Sequence, residues 1–449
     1  MLRALQMNHV GPAETLELEL GERLNVLTGD NGLGKSFVLE VAWWALTGTW
    51  VDRPMLPQRG RETSAAISGE VERVVDAFYS SDTTFKRRFH RRTQQWDDRF
   101  VRNEFRQLRN SPATVEAWTP LFAPVLYIRP DGMFSVFDPA RMFAAEGSAP
   151  FDGPDLKTSA LHFTSNELWE VGAKRLGKTV CNGLIQDWVT WQLEARGDDA
   201  HLFRLLTRVL DRLSHPDEPM KPGKPLRLYL DDVRKFPTIE LPYETIPVVH
   251  ASAGMKRILS LAYLITWMWT EHVQETQITG RKPADRLVVL VEEPETHLHP
   301  KWQRHIVPAL LDVLNNLGEG IQPQIIMTTH APLVLASLET HVDPQKDRLF
   351  NFELELPAKR VVLKELNWVK YGDASAWLTS DVFDLSRGTS PEAETAINAA
   401  YDFMAGKLDK LPSSLDAAGK IDAELHRVLD ASHPFLIRWR FYQEKQAAS

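Results

Sequence analysis

The sequence predicts an α/β fold, and three stretches carry that prediction. Leu24 to Thr28 is a short apolar strand. It runs into Gly29-Asp30-Asn31-Gly32-Leu33-Gly34-Lys35-Ser36, and Phe37 to Leu46 is then apolar enough for a buried helix. Leu287 to Val291 is a second apolar strand, ending in Glu292 and Glu293. Ile325 to Thr329 is a third, ending in His330. Buried strands that alternate with helices and end in polar groups are the pattern of a sheet covered on its faces.

The remaining elements follow in order. Leu16, Leu18 and Leu20 alternate with Glu17 and Glu19, as in a half-buried strand. Residues 65–140 read mostly as antiparallel strands, with a hairpin over 127–137 whose turn is Asp131-Gly132. Residues 141–165, rich in Gly, Pro, Ser and Ala, read as a loop. Residues 166–215 have helical periodicity around Trp169, Leu184, Trp188, Trp191 and Leu202. Asp217 to Pro225 is a turn-rich linker, and strand-like segments continue to Val249. Residues 254–271, 287–291, 301–317 and 325–329 read as helix, strand, helix, strand, and about the last seventy residues are mostly helical.

Composition narrows the class. The chain has 449 residues, 43% hydrophobic and 25% charged, which is ample for a sizeable core. A formal net charge of -8 argues against non-specific coating of nucleic acid, though a local basic patch stays open. Cys181 is the single cysteine, which fits a reducing compartment. No apolar run is long enough to span a bilayer and the N-terminus lacks a signal-peptide pattern, so a cytoplasmic protein is expected.

Residues 29–36 match G-x-x-x-x-G-K-S in full, between a strand and a helix. Glycines let the backbone curl so that N–H groups point at phosphate oxygens, and the helix N-terminus adds partial positive charge. Asn31, Gly32, Leu33, Gly34, Lys35, Ser36 and Phe37 are therefore the candidate nucleotide-binding set. Lys35 is expected on the β- and γ-phosphates and the Ser36 hydroxyl on Mg²⁺. Glu292, at a strand end, is the candidate Mg²⁺ carboxylate; Glu293 is the candidate that polarises the attacking water. Paired glutamates are otherwise a common solvated turn. His330 is the candidate γ-phosphate contact, although a lone histidine is more often structural. Ala251-Ser252-Ala253-Gly254-Met255-Lys256-Arg257 precedes an apolar helix from Ile258. Ser252 and Gly254 thus form a second candidate anion-binding element, with a simple helix cap as the bland alternative.

The order of these four motifs resembles the ABC ATPases. Glu292-Glu293-Pro294-Glu295-Thr296-His297-Leu298-His299-Pro300, with Thr328-Thr329-His330-Ala331-Pro332, looks most like the RecF, SMC and OLD side of that superfamily. The resemblance spans residues 24–335. It implies a P-loop NTPase of ABC type with a mixed sheet, an antiparallel β-lobe, a helical insertion and a helical C-terminal tail. It further implies a head-to-tail homodimer, or larger homo-oligomer, with ATP and Mg²⁺ between the P-loop of one subunit and Ser252 and Gly254 of the other. Glu292 stands where many members have Asp. Ala253 and Met255 stand where Gly and Gln are common, which weakens the expected γ-phosphate contacts and suggests slow hydrolysis. Gln94 and Gln95 are candidates for the glutamine loop, and His297 and His299 read as structural or interfacial rather than as zinc ligands.

Four regions are expected: an N-terminal ATPase lobe (1–140), a mainly helical insertion (141–225), a C-terminal ATPase lobe (226–370) and a helical C-terminal region (371–449). Lys86, Arg87, Arg88, Arg91, Arg92, Arg99, Arg102, Arg106 and Arg109, interleaved with Phe85, Phe89 and Trp96, are a candidate DNA surface. The alternatives there are a solvated sheet edge or a contact for an acidic partner. Cys181 to Trp188 reads as a helix junction or, less simply, as a ligand pocket.

The resemblance is closest in general character to stand-alone ATPases that accompany a separate effector, often a nuclease, in antiphage systems such as Septu, PARIS or retron-linked operons. No Toprim-like acidic cluster or other nuclease constellation follows the motifs, which favours an effector supplied in trans. A RecF-like DNA-repair clamp, a transporter motor and a slow-hydrolysing nucleotide-dependent scaffold are the alternatives.

Overall fold

The computed structural model describes the chain except residues 77–78, 98–122, 142–159, 176, 196–200, 279, 281, 357, 384, 386–387 and 448–449. Two compact units are present, Met1–Gly372 and Asp373–Ser449.

The first unit is built on an eight-stranded mixed sheet among the described residues. From one edge its strands are β18 (Arg360–Leu366), β17 (Arg348–Glu355), β3 (Leu24–Gly29), β16 (Gln322–Thr328), β15 (Arg286–Glu292), β7 (Val125–Ile128), β8 (Phe134–Phe137) and β9 (Ala160–Phe163). The five strands from β17 to β7 are mutually parallel, and both edges are finished by antiparallel pairs. Parallel strands are covered on both faces and so read as unbroken apolar runs. Leu287 to Val291 are accordingly all buried.

This α/β architecture with a strand–loop–helix at its centre is a P-loop NTPase fold. The loop between β3 and helix α1 (Lys35–Thr47) lies at the end of a central strand flanked by β17 and β16. Trp43 of α1 is fully buried, and its ring lies 6.2 Å from that of Tyr127 on β7, which seats the helix on the sheet.

A second, antiparallel sheet has the order β2 (Thr15–Glu19), β1 (Leu2–Asn8), β4 (Ala66–Asp76), β5 (Tyr79–His90), β6 (Gln95–Trp96). A buried amide joins it to the central sheet. Gln324 of β16 donates Nε2 to the Leu2 and Gly21 carbonyls at 2.8 Å each, and its Oε1 accepts from the Leu2 N–H at 2.9 Å. All three bonds lie in the interior, so the amide's polar groups are satisfied where water is excluded.

The predicted loop over 141–165 contains β9, and the predicted helical stretch over 166–215 is interrupted. It holds a π-helical turn (Glu167–Val171) and a hairpin of β10 (Ala173–Arg175) and β11 (Lys178–Cys181). Helices α2 (Leu184–Glu194) and α3 (His201–Leu213) follow. Gly172, Gly177 and Gly183 have φ of 65°, 77° and 89°, conformations that break a helix at low cost only in glycine. A small sheet of β12 (Lys221–Arg227), β13 (Lys235–Glu240) and β14 (Thr245–Pro247) leads into α4 (Ala253–Ile278). Helices α5 (Pro300–Asn315) and α6 (Pro332–Leu338) follow β15 and β16.

The second unit is helical: α7 (Ala374–Leu378), α8 (Pro391–Met404), α9 (Ala418–Val428) and α10 (Pro434–Ala447). The Ser390 hydroxyl caps α8 by accepting from the Ala393 N–H at 3.2 Å. Its core packs Ala396, Ala400, Ile421, Leu425, Leu436 and Trp439, and the Trp439 indole donates to Asp422 at 3.0 Å. Among the described residues no helix is long and apolar enough to cross a membrane.

Candidate functional site

The loop from Gly29 to Ser36 is shaped by its glycines. Gly29, Gly32 and Gly34 have φ of 116°, 78° and 103°. A Cβ at Gly29 would sit 2.2 Å from the Phe352 carbonyl oxygen, and one at Gly34 would sit 2.5 Å from Pro12 Cγ. Gly34 is the N-cap of α1 and supplies no side-chain cap, so the first amides of the helix keep their donors for a ligand. Asn31, Gly32 and Ser36 are exposed, Leu33 is buried, and Phe37 is half-buried beside Gly11.

Lys35 is only 5% exposed, and its Nζ donates to the Gly29 and Asp30 carbonyls at 2.7 Å each. Burial lowers its pKa to about 8, opposed by the charges of Glu293 and Asp30. A buried ammonium held by two carbonyl oxygens is the environment that phosphate oxygens would replace. With the uncapped helix end beside it, the donor set fits a nucleotide polyphosphate.

Glu292 ends β15 in register with Thr328 of β16 and is 7% exposed. Its Oε1 accepts from the Tyr127 hydroxyl. Glu293 follows with φ of 43°, a left-handed conformation uncommon outside glycine and found at strained functional turns. That turn is held by the Glu293 N–H, which donates to the Thr328 carbonyl at 3.0 Å. The Glu293 carboxylate accepts from the Thr296 hydroxyl at 3.2 Å and lies 3.6 Å from His330 Nε2. The pKa of His330 is lowered, first by burial and then by the positive charge of Lys35, while Glu293 and Asp30 act in the opposite sense. Lys35, Glu293 and His330 thus sense one another electrostatically, although they lie on three separate strand ends.

Two contributors were not singled out from sequence. Glu295 is buried, and its Oε1 accepts from the Thr329 hydroxyl at 2.7 Å and the His330 N–H at 3.0 Å, which fixes the backbone of the histidine turn. Arg257 is 8% exposed and donates to the Arg129 carbonyl at 2.6 Å and the Glu292 carbonyl at 3.3 Å. It joins α4 to the end of β15. Proline between Glu293 and Glu295, and the basic residue one turn into α4, were the available signals.

Helix α4 begins at Ala253 rather than Ile258, so Gly254 lies in its first turn instead of preceding it. Ser252 is exposed, and its hydroxyl accepts from the Met255 N–H at 3.3 Å, a capping geometry. A Cβ at Gly254 would lie 2.9 Å from the His297 carbonyl oxygen, so the glycine lets the 296–300 loop approach the helix. His299 caps α5 through Nδ1, which accepts from the Lys301 N–H at 3.4 Å.

The glutamine candidates sit elsewhere. Gln94 lies in the β5–β6 turn and Gln95 opens β6 of the antiparallel sheet; β15 is flanked by β16 and β7, and β7 exits through Arg129 to Gly132. The basic segment also divides. Lys86, Arg88, Arg91 and Arg92 are exposed. Arg87 is buried, with its guanidinium 5.9 Å from the Trp44 ring centroid and donating to the Asp97 carbonyl at 3.2 Å. Phe85, Phe89 and Trp96 are buried in the core, so they are not a stacking platform for bases. Alternation along β5 puts Phe85 and Phe89 on its inner face, and Trp96 of β6 meets Phe89 edge-on at 5.3 Å. Arg99, Arg102, Arg106 and Arg109 lie outside the described residues.

The segment from Cys181 to Trp188 is a packed junction. The Tyr263 hydroxyl donates to Asp187 at 2.6 Å, Asn182 donates to Asp187 at 2.8 Å, and the Trp188 side chain is fully buried. Burial pushes the Cys181 thiol up to about 11.

Residues 187–336, which contain the α4, β15 and β16 strand and helix ends, match the family described as "AAA domain, putative AbiEii toxin, Type IV TA system". Over 161 residues the chain is 27% identical to the "Retron Ec83 probable ATPase" of Escherichia coli, covering 35% of this chain and 25% of that protein. Over 51 residues it is 43% identical to the "Retron Vc95 probable ATPase" of Vibrio cholerae serotype O1 biovar El Tor, covering 11% and 9%. The chain therefore spans about a quarter or less of the length of these relatives. Among solved structures, an SMC head bound to the C-winged helix domain of ScpA aligns with a TM-score of 0.45 at 11% identity, covering 82% of this chain and 98% of that one. The fold is that of a P-loop NTPase, and over part of its length the chain is similar to the AAA-domain family and to the two retron probable ATPases.

Proposed function

We propose that this chain binds and slowly hydrolyses ATP as a dimer, and that it is a regulatory switch in bacterial antiphage defence that controls a separate effector such as a nuclease. The observation that carries the ATPase part is the convergence of Lys35, Glu293 and His330, with the His330–Glu293 pair at 3.6 Å beside the uncapped start of α1. The defence part is supported by the retron ATPases to which the chain is similar.

In this reading Lys35 exchanges its bonds to the Gly29 and Asp30 carbonyls for phosphate oxygens, and the amides of residues 31–37 complete the cradle. Mg²⁺, held by the Ser36 hydroxyl and the Glu292 carboxylate, would supply charge neutralisation at the β- and γ-oxygens. Glu293 orients the attacking water and accepts its proton. His330 contacts the γ-phosphate region, and its neutral form is favoured by burial. Ser252 and Gly254, at the start of α4, complete the site of the partner subunit, so that loss of the γ-phosphate loosens the dimer and exposes or releases the effector.

Steady-state phosphate release tests the catalytic half: activity is expected in the native chain and at background in Lys35→Ala and Glu293→Gln. Equal rates in all three would overturn it. A second reading, a RecF-like DNA-binding ATPase, is favoured by the exposed Lys86, Arg88, Arg91 and Arg92. ATP-dependent binding of duplex DNA, lost on reversing those charges, would select it.

A further inference from the structure

Glu292 carries a longer arm than aspartate, with one more side-chain torsion to fix before both oxygens are correctly placed. The strand end alone does not fix it. The structure places the hydroxyl of Tyr127 on the Glu292 carboxylate across 165 residues of sequence. We infer that Tyr127 is a positioning residue: it holds one carboxylate oxygen of Glu292 so that the other is presented to the divalent cation. The inference rests on the reading of Glu292 as the Mg²⁺ carboxylate.

The geometry follows from strand register. Tyr127 pairs with Leu290 in the parallel β7–β15 ladder. Side chains alternate along a strand, so Leu290 and Glu292 project from the same face, and a tyrosine opposite Leu290 can reach one step further along it. A phenylalanine there would pack as well but stop short of the carboxylate.

The tyrosine ring is itself held. It is fully buried, and it lies 6.2 Å from Trp43 of α1 at an interplanar angle of 32°. Trp43 in turn meets His162 edge-on at 5.8 Å. An ionised carboxylate only accepts hydrogen bonds, so the phenol is the donor and the role of each partner is set. The ring therefore transfers the rigidity of the α1–sheet interface to one oxygen of Glu292. The same helix starts at Lys35 and Ser36, so both candidate cation ligands, Ser36 and Glu292, are referenced to one rigid body. Groups that orient a metal ligand through its second atom typically change metal affinity about 10–100-fold when removed.

The experiment measures Mn²⁺ affinity by electron paramagnetic resonance in the full chain saturated with a non-hydrolysable ATP analogue. Native protein, Tyr127→Phe and Glu292→Gln are compared, with nucleotide affinity in EDTA as a check that each binds in the metal-free state. The expected result is that Tyr127→Phe weakens Mn²⁺ about tenfold, keeps its EDTA nucleotide affinity, and loses kcat more than it changes KM for ATP. Glu292→Gln weakens Mn²⁺ further. If Glu292→Gln weakens Mn²⁺ and Tyr127→Phe matches the native chain, the positioning role is overturned while the carboxylate assignment stands. If Glu292→Gln also matches the native chain, the carboxylate assignment fails and the positioning role with it.

Discussion

Replacing Glu295 with alanine separates a carboxylate that builds the site from one that acts in it. Glu295 Oε1 takes two donors, the Thr329 hydroxyl at 2.7 Å and the His330 N–H at 3.0 Å, in a buried setting. Truncation leaves both donors without that acceptor. At about 1–2 kcal/mol for each buried donor left unmade, the loss is about 2–4 kcal/mol. Glu295→Gln keeps a carbonyl oxygen in the same place and removes a carboxyl whose pKa burial raises, so its cost is below ~1 kcal/mol. The assay is urea unfolding of both variants followed by tryptophan fluorescence, with ATP turnover measured in parallel. The alanine variant is expected to unfold at lower urea and to lose most turnover, because the His330 turn loses its anchor. The glutamine variant stays close to native in both. Equal behaviour of the two variants would refute this role of Glu295, since the glutamine variant keeps the acceptor oxygen and the alanine variant does not.

Two further outcomes follow from the phosphate-binding loop. Gly34→Ala combines a φ of 103° with a contact of 2.5 Å to Pro12, whereas Gly32→Ala meets only the backbone strain of φ 78° and nothing within 4 Å. Calorimetry is expected to show ATP affinity falling much more for Gly34→Ala than for Gly32→Ala, whose strain is about 1–2 kcal/mol. Lys35 supplies a pH dependence. Its pKa in the free protein, about 8, is below the value of 10.5 for an unburied lysine, so the buried ammonium costs stability below about 8, and that cost is relieved as pH rises toward 10.5. A bound polyphosphate favours the protonated form, so ATP affinity is expected to fall by up to about tenfold per pH unit above that midpoint. Lys35→Arg, which does not titrate there, is expected to show a flat profile.

Much of the frame was legible because its physics is local. Parallel strands buried on both faces leave mainly apolar runs: Leu287–Val291 is unbroken, while Leu24–Thr28 and Ile325–Thr329 are apolar apart from the buried Asn25, Thr28, Thr328 and Thr329. The loop at 29–36 is equally local, since its glycines and lysine act within eight residues. The hairpin at 173–181 was not legible as such. Tryptophans and leucines on either side of it mimic a helical period, and only the spaced glycines 172, 177 and 183 marked the breaks. The alternation of Phe85, Arg87 and Phe89 with Lys86 and Arg88 encodes the two faces of β5, but the density of basic residues in the segment masks it. The contacts made by Tyr127 and Glu295 could not be read from sequence. Their partners are set by strand register and by the packing of turns from distant segments, and no single stretch of sequence encodes either contact.

ATP is expected to complete an interface between two copies of the chain. Its most direct test is the mass distribution of Glu293→Gln with and without ATP and Mg²⁺, beside Lys35→Ala. Nucleotide is expected to drive the glutamine variant, but not the alanine variant, from a smaller species into a dimer or larger assembly. An unchanged distribution in the glutamine variant, with ATP shown to be bound, would contradict it.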